Sequence, residues 1–294
     1  MERLLAYAQF FATRRSVEPK EPALVPLNRF TAEEQAEYDK LLDELLTLHA
    51  SAEGTPAEDE VPPAPQSWSF ADAGPVTLVC AQLPPGMLSE LALPDAHNYT
   101  ELLSFGDLDA MVELFGHVRA QNSSMLATFK LAPAVKADDL SGHVAIIGGI
   151  GWNRVTARIL SLARLPVEQR EDPGSPYGEI FIITAGDNET KFLPTFEGDP
   201  PELVEDVGLI ARMPNPMNSS RTLTICNGIH SRGVLGAVRS LTDAQLRDQN
   251  ERYIANNLPG DKFGILMRVQ VIGGKALTPD FSNSETILHQ WSRS

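Results

Sequence analysis

Two loops hold the residues whose types and order could do chemistry. In "HVAIIGGIGWNRVTARIL", residues 143–160, an apolar run ends in Gly148, Gly149 and Gly151, and a helical pattern begins at Asn153. In "TICNGIHSRGVLGAV", residues 224–238, a second apolar run ends at Cys226. Asn227, Gly228, His230, Ser231 and Arg232 follow, and helix resumes near Gly233. Where a strand feeds a helix, the first helical N–H groups are unpaired and carry the positive end of the dipole, and glycines let an anion come close. This pattern predicts a ligand site made of Gly148, Gly149, Gly151, Asn153, Asn227, Gly228, His230, Ser231 and Arg232. Asn153 is placed to cap its helix, and His230, in a Gly-flanked polar loop, to titrate near neutrality. The plainer alternative is a tight strand-to-helix turn that Asn153 caps.

Other chemistries find no matching pattern. A dinucleotide fingerprint starting at Gly149 would put its third glycine at position 154, which is Arg154, and there is no GxxxxGK[ST]. "GSPYG" shares only the composition of a GxSxG elbow. Ser231 beside His230 makes no nucleophile pair, because sequence adjacency supplies neither the hydrogen bond nor a third orienting group. No CxxC or HExxH occurs and the six histidines are scattered, so no metal site is expected. Asp187, Asn188 and Glu189 read as a hairpin turn. Glu205 and Asp206 adjoin at a strand start, where neighbours point to opposite faces, and read as a solvated edge. Catalytic residues and cofactor stay unassigned.

These loops need elements to hold them. "PVTLVCAQLPPG" reads as a strand, and "DLDAMVELFGHVRA" puts Leu108, Met111, Val112, Phe115 and Val118 on one helical face, with His117 beside it as a structural histidine. "HVAIIGG" is a near-continuous apolar run, as in a strand buried on both faces. "YGEIFIITAG", "DVGLIARMPNP", "RTLTICNG" and "KFGILMRVQVIGG" add strands, and the two prolines of "RMPNPMN" a rigid turn. Strands alternating with helices predict an α/β fold, a Rossmann-like sandwich with a mostly parallel sheet and a later hairpin-like antiparallel portion. If the strands before the two loops are parallel and adjacent, both loops lie at the carboxyl edge, where such sheets bind ligands. Two N-terminal helices precede this. The first, with Leu4, Tyr7, Ala8 and Phe11 as its stripe, should end near Ser16; the second opens on the capping-box pair Thr31 and Glu34 and carries Tyr38, Leu41, Leu42, Leu45 and Leu48. The division is therefore a helical segment at 1–50, a Pro-rich acidic linker at 51–70 and an α/β domain at 71–294.

Composition narrows the partners. A formal net charge of −15 disfavours nucleic acid, whose binding rests on neutralising phosphates. No window approaches the ~20 apolar residues that span a bilayer. The N-terminus, with Glu2 early and Arg14 and Arg15 behind its apolar part, is no signal peptide, and Cys80 and Cys226 lie apart inside apolar runs. A reducing, cytoplasmic setting is the expectation.

Several phrases in one order, "LLAYAQFFATRRSV", "RFTAEEQAEYDKLLDELLTL", "DLDAMVELFGHVRA", "HVAIIGGIGWNRVTARIL" and "GIHSRGVLGAVRSLTDAQLRDQNERYI", resemble the region following the helix-turn-helix in a group of actinomycete (XRE-like) transcriptional regulators. The chain starts at "MERLLAYAQ", so the resemblance carries over no DNA binding, and Ile150 stands where the family pattern tends to have proline. The resulting expectation is a cytoplasmic sensing or effector domain. It would bind a small anionic, nucleotide-like metabolite between the two Gly loops and act through a protein partner or a second copy via its N-terminal helices. The alternatives are a nucleotide- or nucleoside-processing hydrolase, which requires a carboxylate in the cleft, and an interaction scaffold, which requires no cleft.

Overall fold

A computed structural model describes residues 2–17, 23–53, 66–72, 74–172, 174 and 178–293. These fall into two compact units, Met1–Pro63 and Ala64–Ser294.

The first unit is helical: α1 (Glu2–Phe11), α2 (Arg14–Val17) and α3 (Ala32–Glu53). Thr31 and Glu34 form the expected capping box, the Glu34 N–H donating to the Thr31 hydroxyl at 3.3 Å and the Thr31 N–H to the Glu34 carboxylate at 2.8 Å. Ala8, Ala12 and Tyr38 are buried with Leu41, Leu42 and Leu45 packed on them, so the leucine stripe of α3 has a partner within its own unit. The first helix stops at Phe11 rather than near Ser16, and Tyr7 and Phe11, assigned to its buried stripe, are exposed. The linker expected at 51–70 shrinks at both ends: residues 51–53 continue α3, and Trp68 is 1% exposed in the core of the second unit. Residues 54–65 lie outside the described residues.

The second unit runs β1 (Val76–Cys80), α4 (Leu108–Gln121), β2 (Ala127–Leu131), β3 (His143–Ile147), α5 (Arg154–Ala163), β4 (Val167–Glu171), β5 (Glu179–Ala185), β6 (Asn188–Phe192) and β7 (Thr195–Glu197). It continues with β8 (Glu202–Asn215), β9 (Asn218–Gly228), α6 (Ser231–Arg239), α7 (Arg247–Asn257), β10 (Lys262–Ile272), β11 (Lys275–Ala276) and β12 (Ile287–Arg293). The architecture is α/β with a mixed sheet. Its order is β11-β10-β8-β9-β3-β1-β2, with β12 also pairing β10 and β7 pairing β8. Strands β2, β1, β3 and β9 are mutually parallel, whereas β9-β8-β10 are joined antiparallel, so the antiparallel portion is larger than the "mostly parallel" expectation.

Alternation along the central strands splits the core in two. Leu78, Cys80, Ala145 and Ile147 face one side with Met111, Leu114 and Val118 of α4 and Val234 and Val238 of α6. Val79, Val144 and Ile146 face the other with Ile159 and Ala163 of α5. A separate three-stranded sheet, β4-β5-β6, packs Val167 and Phe181 against Val207, Leu209 and Leu266. Val112, assigned to the buried face of α4, is exposed. Among the described residues no helix is long and apolar enough to cross a membrane.

Candidate functional site

The chain leaves β1 toward β2 on one side of it and, after β3, returns in β9 on the other. The connections diverge between β1 and β3, and that divergence opens a crevice beyond the carboxyl ends of the strands. A cleft of about 550 Å³ occupies it. Gly149 and Trp152 line it from the loop after β3, Gly228 to Arg232 and Val234 from the end of β9 and the start of α6, and Asp107 to Ala110 from the start of α4. The two glycine loops thus share one crevice.

Five of the nine sequence candidates line the cleft: Gly149, Gly228, His230, Ser231 and Arg232. The other four do not line it. Asn153 is fully buried; its side-chain oxygen accepts from the Val155 and Thr156 N–H groups, and its amide donates to the carbonyls of Val79 at 3.2 Å and Ile147 at 2.9 Å. It caps α5 and ties the ends of β1 and β3 together. Asn227, also fully buried, donates to Gln169 at 2.6 Å. Gly148 has φ +106, and a Cβ there would stand 2.8 Å from Asp107 Oδ2. Gly151 donates its N–H to Glu179 at 2.9 Å.

That last bond changes the chemistry expected of the loop. Glu179, the first residue of β5, accepts from the Ile150 and Gly151 N–H groups and is held by the Gln169 amide at 2.6 Å. The loop after β9 is filled the same way. His230, the N-cap of α6, does not cap it with its side chain. Asp206, from β8 and fully buried, accepts instead from the N–H groups of His230 at 3.2 Å and Gly233 at 2.5 Å. Both places that could have cradled a foreign anion are occupied by the chain's own carboxylates. The glycines allow the close approach of these internal groups: a Cβ at Gly149 would lie 2.9 Å from the Gly228 carbonyl oxygen and 3.0 Å from Glu179.

No protein-family model and no curated protein matches the chain.

What faces the cleft is acidic. Asp107, Asp109 and Glu179 line it against one guanidinium, Arg232, which pairs with Asp109 at 3.6 Å. Asp107 has φ 54, a left-handed conformation that side chains other than glycine adopt at a cost, and it is the N-cap of α4 without capping it. Its side chain is bound by Ser231 instead. Burial pushes the Asp107 carboxyl above the usual range; the Ser231 bond opposes this and Asp109 adds to it. Burial likewise raises Glu179, opposed by the Gly151 N–H. Asp206 is pushed up to about 7, by burial first, against the lowering effect of three backbone N–H groups. Burial lowers His230, which favours the neutral imidazole at neutral pH. Cys80 and Cys226 are buried, their thiols pushed up to about 12 by burial, so neither is a nucleophile.

Sequence reasoning missed Asp107, Asp109, Trp152 and Glu179 as cleft residues and read Asp206 as solvated. "GDLD" looks like an ordinary helix start, and only the positive φ and the uncapped helix single out Asp107. Glu179 reaches the site from a different sheet, which no local pattern announces.

Proposed function

We propose that the second unit is a Rossmann-like small-molecule domain whose cleft takes a nucleoside-like ligand, held by carboxylates on its hydroxyl groups. The observation that carries this is the pairing of a 550 Å³ crevice at the switch point with Asp107 and Glu179 in its wall. Carboxylates accept hydrogen bonds from vicinal hydroxyls, and α/β sheets use an acidic residue at this edge for that purpose. The anion first expected between the loops gives way to a hydroxyl-bearing ligand, because Glu179 and Asp206 already take the backbone donors. A sensing or effector role, acting through a partner, agrees with the resemblance to regulators. A scaffold without a ligand leaves the cleft without a purpose.

A second reading, hydrolysis of a glycosidic bond, is favoured by Asp107 and Glu179 lining one cleft with carboxyls that burial raises above the usual range, since an acid raised in this way holds a proton it can donate. One experiment addresses both. Nucleosides, nucleotides, nucleotide sugars and phosphorylated sugars are screened by thermal shift, where a ligand at 100 times its Kd adds about 2.7 kcal/mol. Hits are repeated with Asp107→Asn and Glu179→Gln and analysed chromatographically for released base. A nucleoside hit weakened by both variants and recovered intact supports binding, and released base supports hydrolysis. Preference for phosphorylated sugars, unaffected by either variant, contradicts both.

A further inference from the structure

We infer that the cleft selects a ligand bearing a delocalised positive charge, a cationic aromatic ring attached to the hydroxylated body; this rests on reading the cleft as a ligand site. Three features point the same way. The first is the wall itself: three carboxyls against one guanidinium, with that guanidinium already paired to Asp109. The second is Trp152, 38% exposed and part of the same wall, an aromatic side chain of the type that attracts a flat cation. The third is the dispersal of the acids. Among the described residues no group of three or more His, Cys, Asp and Glu could hold a metal ion, so the three acids of the wall do not converge on one point. A compact metal ion needs convergent ligands, whereas a ring whose charge is spread over several atoms is served by acids distributed around it.

The charges around the site fix the pH dependence. Asp107 and Glu179 are both raised above the usual carboxylate range by burial. The groups facing them are Asp109, Arg232, Glu171, Asp206 and the His230 imidazole, which burial favours as neutral. A bound cation favours the ionised carboxyls, so it binds with proton release and its affinity falls as pH falls.

The test uses the full chain and two matched pairs: 1-methylnicotinamide against nicotinamide, and nicotinamide riboside against its neutral dihydro form. The first pair varies charge without a sugar, so it separates this inference from the nucleoside reading, which the neutral nucleosides above judge separately. Calorimetry at low salt should give the cation about a tenfold tighter Kd in both pairs. That preference should shrink as ionic strength rises and in Asp107→Asn, a replacement that tolerates positive φ. Equal affinities within both pairs, or tighter binding of the neutral members, overturn it. So does a lack of binding by every member at millimolar concentration, because a cleft that selects the cationic ring must retain it there. Salt and pH titrations of the unaltered protein keep the test open if the variant does not fold.

Discussion

Asp206 is fully buried, yet its carboxyl does what a helix cap does from another element: it holds the first turn of α6 from β8. The loop after β9 carries no capping side chain of its own, and the substitute comes from 24 residues upstream. Burial raises its folded pKa to about 7, against an ordinary value of 3.8. A raised acid binds its proton more tightly when folded, so its stabilising contribution is complete below about pH 4 and is lost as pH climbs through 7. The scale is on the order of 4 kcal/mol. Melting of the wild type should therefore weaken between pH 5 and 8 more steeply than melting of Asp206→Asn, which has no proton to lose. Parallel curves for the two proteins would show that the carboxyl does not titrate in this window.

At the scale of elements, the cleft exists because β1 and β3 lie side by side and their connections part company. Asn153 stands at that parting. Its oxygen caps α5, and its amide bridges the carbonyls of Val79, next to last in β1, and Ile147, last in β3. Asn153→Ala removes the cap, worth about 1–2 kcal/mol, and leaves two buried carbonyls without their donor, for a total of about 2–4 kcal/mol in chemical denaturation. Asn153→Asp keeps the cap acceptor and loses the donor. If it melts like the wild type, the bridge between strands contributes nothing and only the cap matters. Helix capping at Asn153 was legible from its position after the glycines. The bridge was not, because it depends on β1 being the neighbour of β3.

For the molecule as a whole, the described residues divide at Pro63 and Ala64, and the second unit begins its core at Trp68. A chain of about 230 residues buries roughly 70–75% of its unfolded surface, enough for a cooperative domain. A fragment starting at Ala64 should show a single melting transition, and one starting at Gly74 should be less stable. The second fragment loses Trp68, the Phe70 ring against His143 at 4.2 Å, and the Ser67 bonds to buried Glu251. Equal stabilities would return the boundary to residue 70, where the composition of the linker had put it.

Elements whose signals are local were legible in the residues alone. The apolar run "VTLVC" marked a strand and "HVAII" a strand buried on both faces, the spacing of Leu41, Leu42 and Leu45 marked a helix with a partner, and Thr31 with Glu34 marked where it starts. It also singled out the two loops that line the cleft. Which groups face the cleft depends on long-range packing. Glu179 and Asp206 arrive from β5 and β8, distant along the chain, and take loop and helix-end N–H groups that the glycines had left open to a ligand in the local pattern. Backbone donors are visible in a local pattern, but whether they are already paired depends on long-range packing, and that pairing turned a cleft expected to attract anions into an acidic one.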